Sequence, residues 1–235
     1  MPLPARYMPQ KTDEDATIDQ DLQSCYQTII GSLLYLTLGT RPDIAFTVTK
    51  LAQYAARPNQ EHLNKALYIC HYLVSTKNYH LTYDGSFGLG LRACINSDWA
   101  SDPDRQKSQL GYYLTLAGGA ISWVSRKQCT VTLSSTEAEY MVFSNCSCQV
   151  VWMHTILGEL SYHLKPIPLC GDNQGLIFIT CNPVTEKHSK HRDIHNHYIR
   201  EVVERKLMEI FFTDRDKNPA DLLTKNLGSV KFLQF

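Results

Sequence analysis

The sequence predicts an α/β protein: a mixed β-sheet flanked by helices, preceded by a small all-α segment. Two changes of texture carry this expectation. Between residues 23 and 78 apolar residues recur at helical spacing, and from about residue 79 short strand-like runs alternate with helical ones. The resulting order, β-β-β-α-β-α-α-β-α, calls for strands of both directions with helices packed against the sheet.

Residues 1–22 are Pro-rich, then acidic and poor in apolar side chains, and read as an extended lead-in. Residues 23–78 hold three punctuated helices. "CYQTIIGSLLYLTLG" ends at Gly39, "RPDIAFTVTKLAQYAARP" is opened by Pro42 and closed by Pro58, and "NQEHLNKALYICHYLVSTKN" starts at an Asn59 cap. On pattern alone this part is a packing module without chemistry.

Residues 79–235 form the second domain. Strands are expected in "YHLTYDG", "LRACINS", "GYYLTLAG", "AISWVS" and "CTVTLSS", followed by one long helix over "STEAEYMVFSNCSCQVVWMHTILGEL". "IPLCGD" reads as a short buried strand and "NQGLIFITCNP" as a helix between Asn173 and Pro183. "SKHRDIHNHYIREVVERK" reads as a basic amphipathic helix, "LMEIFFT" as a strand, and "NPADLLTKNLG" as a last helix with Asn218 as cap and Pro219 at its first position.

With 43% hydrophobic residues, the 235-residue chain can bury one or two cores. Lys+Arg and Asp+Glu both total 23, so any nucleic-acid or membrane argument falls to local clusters. No apolar run approaches the ~20 residues of a membrane helix. The opening segment lacks the apolar core of a signal peptide, so an intracellular protein of cytoplasm or nucleus is expected. Most of the eight cysteines sit inside apolar runs, and there is no C-x-x-C; "CSC" is too tight for the usual zinc spacing. Reduced thiols are expected.

Acidic or near-acidic residues fall where strands and helices begin or end. Alternation puts Cys94, Asn96 and Asp98 on one strand face. Asp172 follows "IPLCG" at a strand's carboxyl end, where sites form in open α/β sheets. Glu139 shares a helical stripe with Phe143, Cys146 and Val150. "STEAE" also fits a capping box twice, Ser134 to Glu137 and Thr136 to Glu139, so capping stands beside a site role. Asp221 lies in the first turn of the last helix, where the dipole favours an acid in any case.

Taken together, "SDWASDPDRQKSQLGYYLTLAGGAISWVSRKQ", "LSSTEAEY", "LCGDNQG", "KHRDIHNHYIRE" and "NPADLLTK" resemble the ribonuclease H domain of copia-type retrotransposon Pol polyproteins. The upstream "YQTIIGSLLYLTLGTRPDIAFTVTKLAQYAARPNQEHLNKAL" resembles the thumb/connection segment at the end of their reverse transcriptase. No Tyr-x-Asp-Asp signature is present, so polymerisation is not expected of this chain.

The resemblance implies a ribonuclease H-like fold and cleavage of RNA in RNA–DNA hybrids with two Mg²⁺ ions (Mn²⁺ as substitute) about 4 Å apart. Its acidic set maps to Asn96, Glu139, Asp172 and Asp221. The family's Asp-x-Asp-Trp reads "NSDW" here, so asparagine stands in the first acid's place. Asp98, a second candidate metal ligand, is about 6.5 Å further along the strand, too far for a simple exchange. The Asn96 carbonyl is neutral and cannot bridge two cations as a carboxylate does. Weakened metal occupancy and a rate loss of several orders of magnitude are expected, equivalent to ~4 kcal/mol or more of transition-state stabilisation.

Hybrid contacts are implied for Asn173 and Gln174 at a 2′-hydroxyl or base edge, and for Lys190, His191, Arg192 and Arg200 at phosphates. A solvated face with charge pairs, and Asn173 as a helix cap, are the competing readings. His191 and His195 have zinc-compatible spacing but no third ligand is evident. "TDRDKNPAD" lacks the histidine that many ribonucleases H carry before the last acid. The partners implied are an RNA–DNA hybrid and the reverse transcriptase domain of the same polyprotein, with no membrane. An inactive nucleic-acid-binding or packing module, from a degenerate or host-retained retroelement fragment, is the alternative.

Overall fold

The computed structural model describes the chain except residues 6, 14, 16, 89, 103–105, 133, 163 and 176–189, and the side chains of 190–194 and 196. Internal contacts divide it into two units, Met1–Leu81 with Lys225–Phe235, and Thr82–Thr224. The sequence puts the division after residue 78 and runs the second domain to residue 235. In the structure the division follows Leu81, and the last residues return to the first unit.

The first unit is helical: α1 (Gln20–Gly39), a 3-10 turn (Pro42–Ile44), α2 (Ala45–Ala52) and α3 (Gln60–Ser75). Asp19 caps α1 through bonds from the Asp21 and Leu22 amides. Tyr26, Ile30 and Leu33 of α1 pack with Val48 and Leu51 of α2 and with Ala66 and Ile69 of α3. The lead-in packs onto this core: Leu3 is buried, and the Pro9 carbonyl accepts from the Tyr54 hydroxyl. The single helix read between Pro42 and Pro58 is a 3-10 turn plus a short helix that stops at Ala52. Beyond it, i→i+3 bonds from Gln53 to Arg57 tighten the chain.

The second unit carries a five-stranded sheet in the order β3-β2-β1-β4-β5, with β1 (Arg92–Asp98), β2 (Gln109–Leu116), β3 (Gly119–Lys127), β4 (Ile167–Gly171) and β5 (Met208–Phe212). β1–β2 and β2–β3 are antiparallel; β1–β4 and β4–β5 are parallel. This is the mixed, helix-flanked sheet the sequence predicts. α4 (Ser135–Glu159) lays Val142, Phe143, Cys146 and Val150 against Ala93, Ile95, Leu114 and Leu169, and α5 (Lys190–Glu204) adds Ile199 and Val202.

Among the described residues two expected strands are absent. "YHLTYDG" forms no ladder; it is tied to the β2–β3 turn by the Asp84 amide on Ala117 and the Tyr83 hydroxyl on Ala120. "CTVTLSS" is held by single bonds from Trp99 Nε1 to the Thr132 carbonyl and from Lys107 to the Cys129 carbonyl. β-Branched residues satisfied one bond at a time do not make a strand. The last helix is instead a 3-10 turn (Pro219–Leu223) and a separate α6 (Ser229–Gln234), the latter belonging to the first unit. The expected helix over "NQGLIFITCNP" lies outside the described residues from 176 onward.

Candidate active site

β1 presents Asn96 on the sheet face opposite its core residues Ala93 and Ile95. The 3-10 turn Pro219–Leu223 lies over this face. It approaches closely because the residue paired with Asn96 is Gly111: a Cβ there would stand 2.7 Å from Leu223 Cβ and 2.8 Å from Thr224 Cγ2. Asn218 caps the start of the turn and ties it to β1. Its Oδ1 accepts from the Ala220 amide at 3.1 Å, and its Nδ2 donates to the Ile95 carbonyl at 2.8 Å.

Asp221 is thereby placed beside Asn96. Asn96 Nδ2 donates to Asp221 Oδ1 at 2.6 Å and lies 2.6 Å from Thr224 Oγ1. All three side chains are buried. The Asn96 amide stabilises one oxygen of the Asp221 carboxylate here, whereas two carboxylates would repel.

Glu139 is 5% exposed. Ser134, not Thr136, caps α4 by accepting from the Glu137 amide, so Glu139 is released from capping and its Oε1 accepts from the Ser97 amide at 3.2 Å. Its Oε2 is buried without a hydrogen bond. Burial pushes the Glu139 carboxyl up to about 8, and the Asp172 charge adds to that rise against the opposing Ser97 bond and Arg215 charge. Asp172 follows β4, and Arg215 Nε lies 3.4 Å from its Oδ2.

Asn96, Glu139, Asp172 and Asp221 thus gather at one end of the sheet, around the ends of β1 and β4. They do not fit a pair of divalent ions. The Asn96 amide N–H groups, which repel a cation, are turned toward Asp221. Among the described residues no three His, Cys, Asp or Glu side chains form a metal-holding group. Glu139 and Asp172, an acid pair with one unsatisfied oxygen, suit a single ion.

Asp98 ends β1, half-buried and opposite Gln109. Asn173 follows Asp172 and precedes helical Gln174 and Gly175, with its Oδ1 3.2 Å from where a Gly175 Cβ would stand. Lys190, His191 and Arg192 open α5, but their side chains lie outside the described set; Arg200 is half-buried on the same helix. His195 faces α4, its Nδ1 2.7 Å from Ser144 Oγ. Thr224, Ser97, Arg215 and the second bond of Asn218 escape sequence reading. Thr224 alone has a local signal, three residues after Asp221 in "NPADLLTK".

The site is thus a mixed sheet in the order β3-β2-β1-β4-β5 with three acids and an asparagine gathered near its strand ends. No family model matches the chain. It is 36% identical over 207 residues to the retrovirus-related Pol polyprotein from transposon TNT 1-94 of Nicotiana tabacum, covering 88% of this chain and 16% of that protein. It is 38% identical over 212 residues to the Pol polyprotein from transposon RE1 of Arabidopsis thaliana, covering 89% and 14%. Its homologues are thus retrovirus-related Pol polyproteins of plant transposons, and the chain spans about one seventh of the length of these relatives. Among solved structures, LC11-RNase H1 isolated from compost superposes with a TM-score of 0.46 at 14% identity, covering 58% of this chain and 93% of that one. No helix among the described residues is long and apolar enough to cross a membrane.

Proposed function

We propose that residues 82–224 act as a hybrid-binding ribonuclease H-like domain in which cleavage is impaired at Asn96. The observation that carries the reading is the 2.6 Å bond from Asn96 Nδ2 to Asp221 Oδ1. An acid cluster is unfavourable until cations offset its repulsion, and that repulsion is what drives ion uptake. Here an amide donor already stabilises one carboxylate oxygen of Asp221, so repulsion from a neighbouring acid on β1 no longer draws an ion to this half of the site.

The other half keeps its acids. Glu139 and Asp172 are the residues that would hold Mg²⁺ or Mn²⁺, with Asp98 the remaining acid of β1. Nucleic-acid contact is assigned to Asn173 and Gln174 beside Asp172, and to Lys190, His191, Arg192 and Arg200 of α5. The substrate is an RNA–DNA hybrid, and a reverse transcriptase domain of the same polyprotein is the partner that would supply it.

The test is cleavage of a labelled RNA–DNA hybrid in Mg²⁺ and in Mn²⁺ by the parent and by Asn96→Asp. The variant is expected to cut at least 100-fold faster than the parent, the order of one lost electrostatic contact. Equal cleavage by both would overturn the account of Asn96. Hybrid binding by the parent should weaken linearly in log–log with salt, at about 0.9 per phosphate contact. Binding that is absent at low salt would leave a packing module as the better description.

A further inference from the structure

Outside the acid cluster, Cys94 of β1 and Cys170 of β4 form a second chemically competent pair. They are register partners in the parallel ladder, so their Cβ atoms leave the same sheet face side by side. Neighbouring strands are about 4.8 Å apart, which lies inside the Cα separation a disulfide spans, roughly 4.4–6.8 Å. The two thiols are near enough to act on one another. Both are free and half-buried, unlike Cys146, which is sealed in the core. Cys146 and Cys148 are two residues apart on α4 and point in different directions, so closeness in sequence does not make them a comparable pair.

We propose that Cys94 and Cys170 are an oxidation site, converted by a small hydroperoxide to an intramolecular disulfide. One thiol sulfur attacks the peroxide O–O bond, becoming a sulfenic acid as water leaves. The second sulfur then displaces the sulfenic hydroxyl: the S–S bond forms, the S–O bond breaks, and a second water departs with the thiol proton. Two thiols and one hydrogen peroxide give one disulfide and two waters, with sulfur oxidised and oxygen reduced.

The bridge would tie β1 to β4 just behind the site, because Cys94 lies two residues before Asn96 and Cys170 two residues before Asp172. Its Cβ atoms must close to roughly 3.8 Å from the wider spacing of a parallel ladder. That pinch makes the bond reducible by a dithiol. The proposal stands on the strand register and the nearness of the thiols, and does not depend on nucleic-acid binding.

The experiment exposes the full chain to hydrogen peroxide, removes the excess, denatures it, and tags the remaining thiols with a maleimide. Intact mass should show two of the eight tags lost and then restored by dithiothreitol. Digestion without reductant should yield a peptide joining Cys94 to Cys170, before the exposed thiols Cys25 and Cys129 react. Cys94→Ser and Cys170→Ser should each fail to form a cross-link. If these variants fold poorly, the peptide map of the parent decides alone. No cross-link, a bridge between other cysteines, or only irreversible oxygen addition at Cys94 or Cys170 would overturn the proposal.

Discussion

Asn96 and Asp221 are 125 residues apart in sequence, yet the Asn96 amide nitrogen lies 2.6 Å from Asp221 Oδ1 in a buried setting. Thr224 closes the group from the other side. An aspartate at position 96 would set two carboxylates at this distance, and one would have to take up a proton or a cation.

Asn96→Asp is therefore expected to be less stable than the parent in a chelator, by about 2–4 kcal/mol, since a hydrogen bond to a charged acceptor is exchanged for like-charge repulsion. Adding Mg²⁺ should recover much of that loss in the variant and stabilise the parent, which keeps only the Glu139 and Asp172 half of the site, by less. Thermal denaturation with and without Mg²⁺ reads both effects. A variant as stable as the parent in chelator would show that the bond contributes little.

Gly111→Ala tests how the turn reaches the sheet. The added methyl would meet Leu223 Cβ, Thr224 Cγ2 and the Ala220 carbonyl oxygen, two of them inside 3.0 Å and one of those on a short, buried side chain. The turn must move, at a cost of about 2–3 kcal/mol. Urea denaturation should show the loss. Asn96→Asp should recover less Mg²⁺-dependent stability in this background, because Asp221 is displaced.

Asn218 joins the turn to β1, and its two bonds can be separated. Asn218→Asp keeps the acceptor for the Ala220 amide but removes the donor to the Ile95 carbonyl; Asn218→Ala removes both. The alanine variant should lose about 2–3 kcal/mol, since it strands two buried backbone groups. The aspartate variant should also be destabilised, as its carboxylate meets the Ile95 carbonyl oxygen. Retention of full stability by aspartate would mean that the cap alone matters.

The first unit should respond to acid through His62. Burial holds this ring below its ordinary value, against smaller opposing contributions from the Gln10 backbone and Glu61. The unfolded chain thus binds the proton more readily than the folded one. The stability due to the neutral ring is present above the unfolded pKa of about 6.5 and is lost as pH falls through the lower folded value. Nδ1 accepts from the Asn59 amide at 3.1 Å and must be unprotonated to do so. His62→Gln keeps a capping-box acceptor without titrating. It should flatten the stability–pH curve below pH 6.5, as measured by urea denaturation across that range; an unchanged slope would assign it to another group.

The sequence by itself determined the period of each long element, the α4 helix, the five strands of the sheet, and the residue types at the strand ends. These are local properties, set by alternation, helical spacing and caps that act within a few residues. It also located Asn96 as the departure from an acidic set, because a motif preserves order and spacing. It misjudged "YHLTYDG" and "CTVTLSS", whose β-branched and aromatic residues suit a strand but whose neighbours offer single bonds instead of a ladder. Tertiary structure alone decided that Glu139 is turned from the helix cap to the Ser97 amide, that Arg215 stands by Asp172, and that Gly111 admits the turn carrying Asp221. It also decided the direction of the Asn96 amide. Such facts depend on which strands become neighbours, and a hydrogen bond between residues 125 apart leaves no periodic trace in the chain.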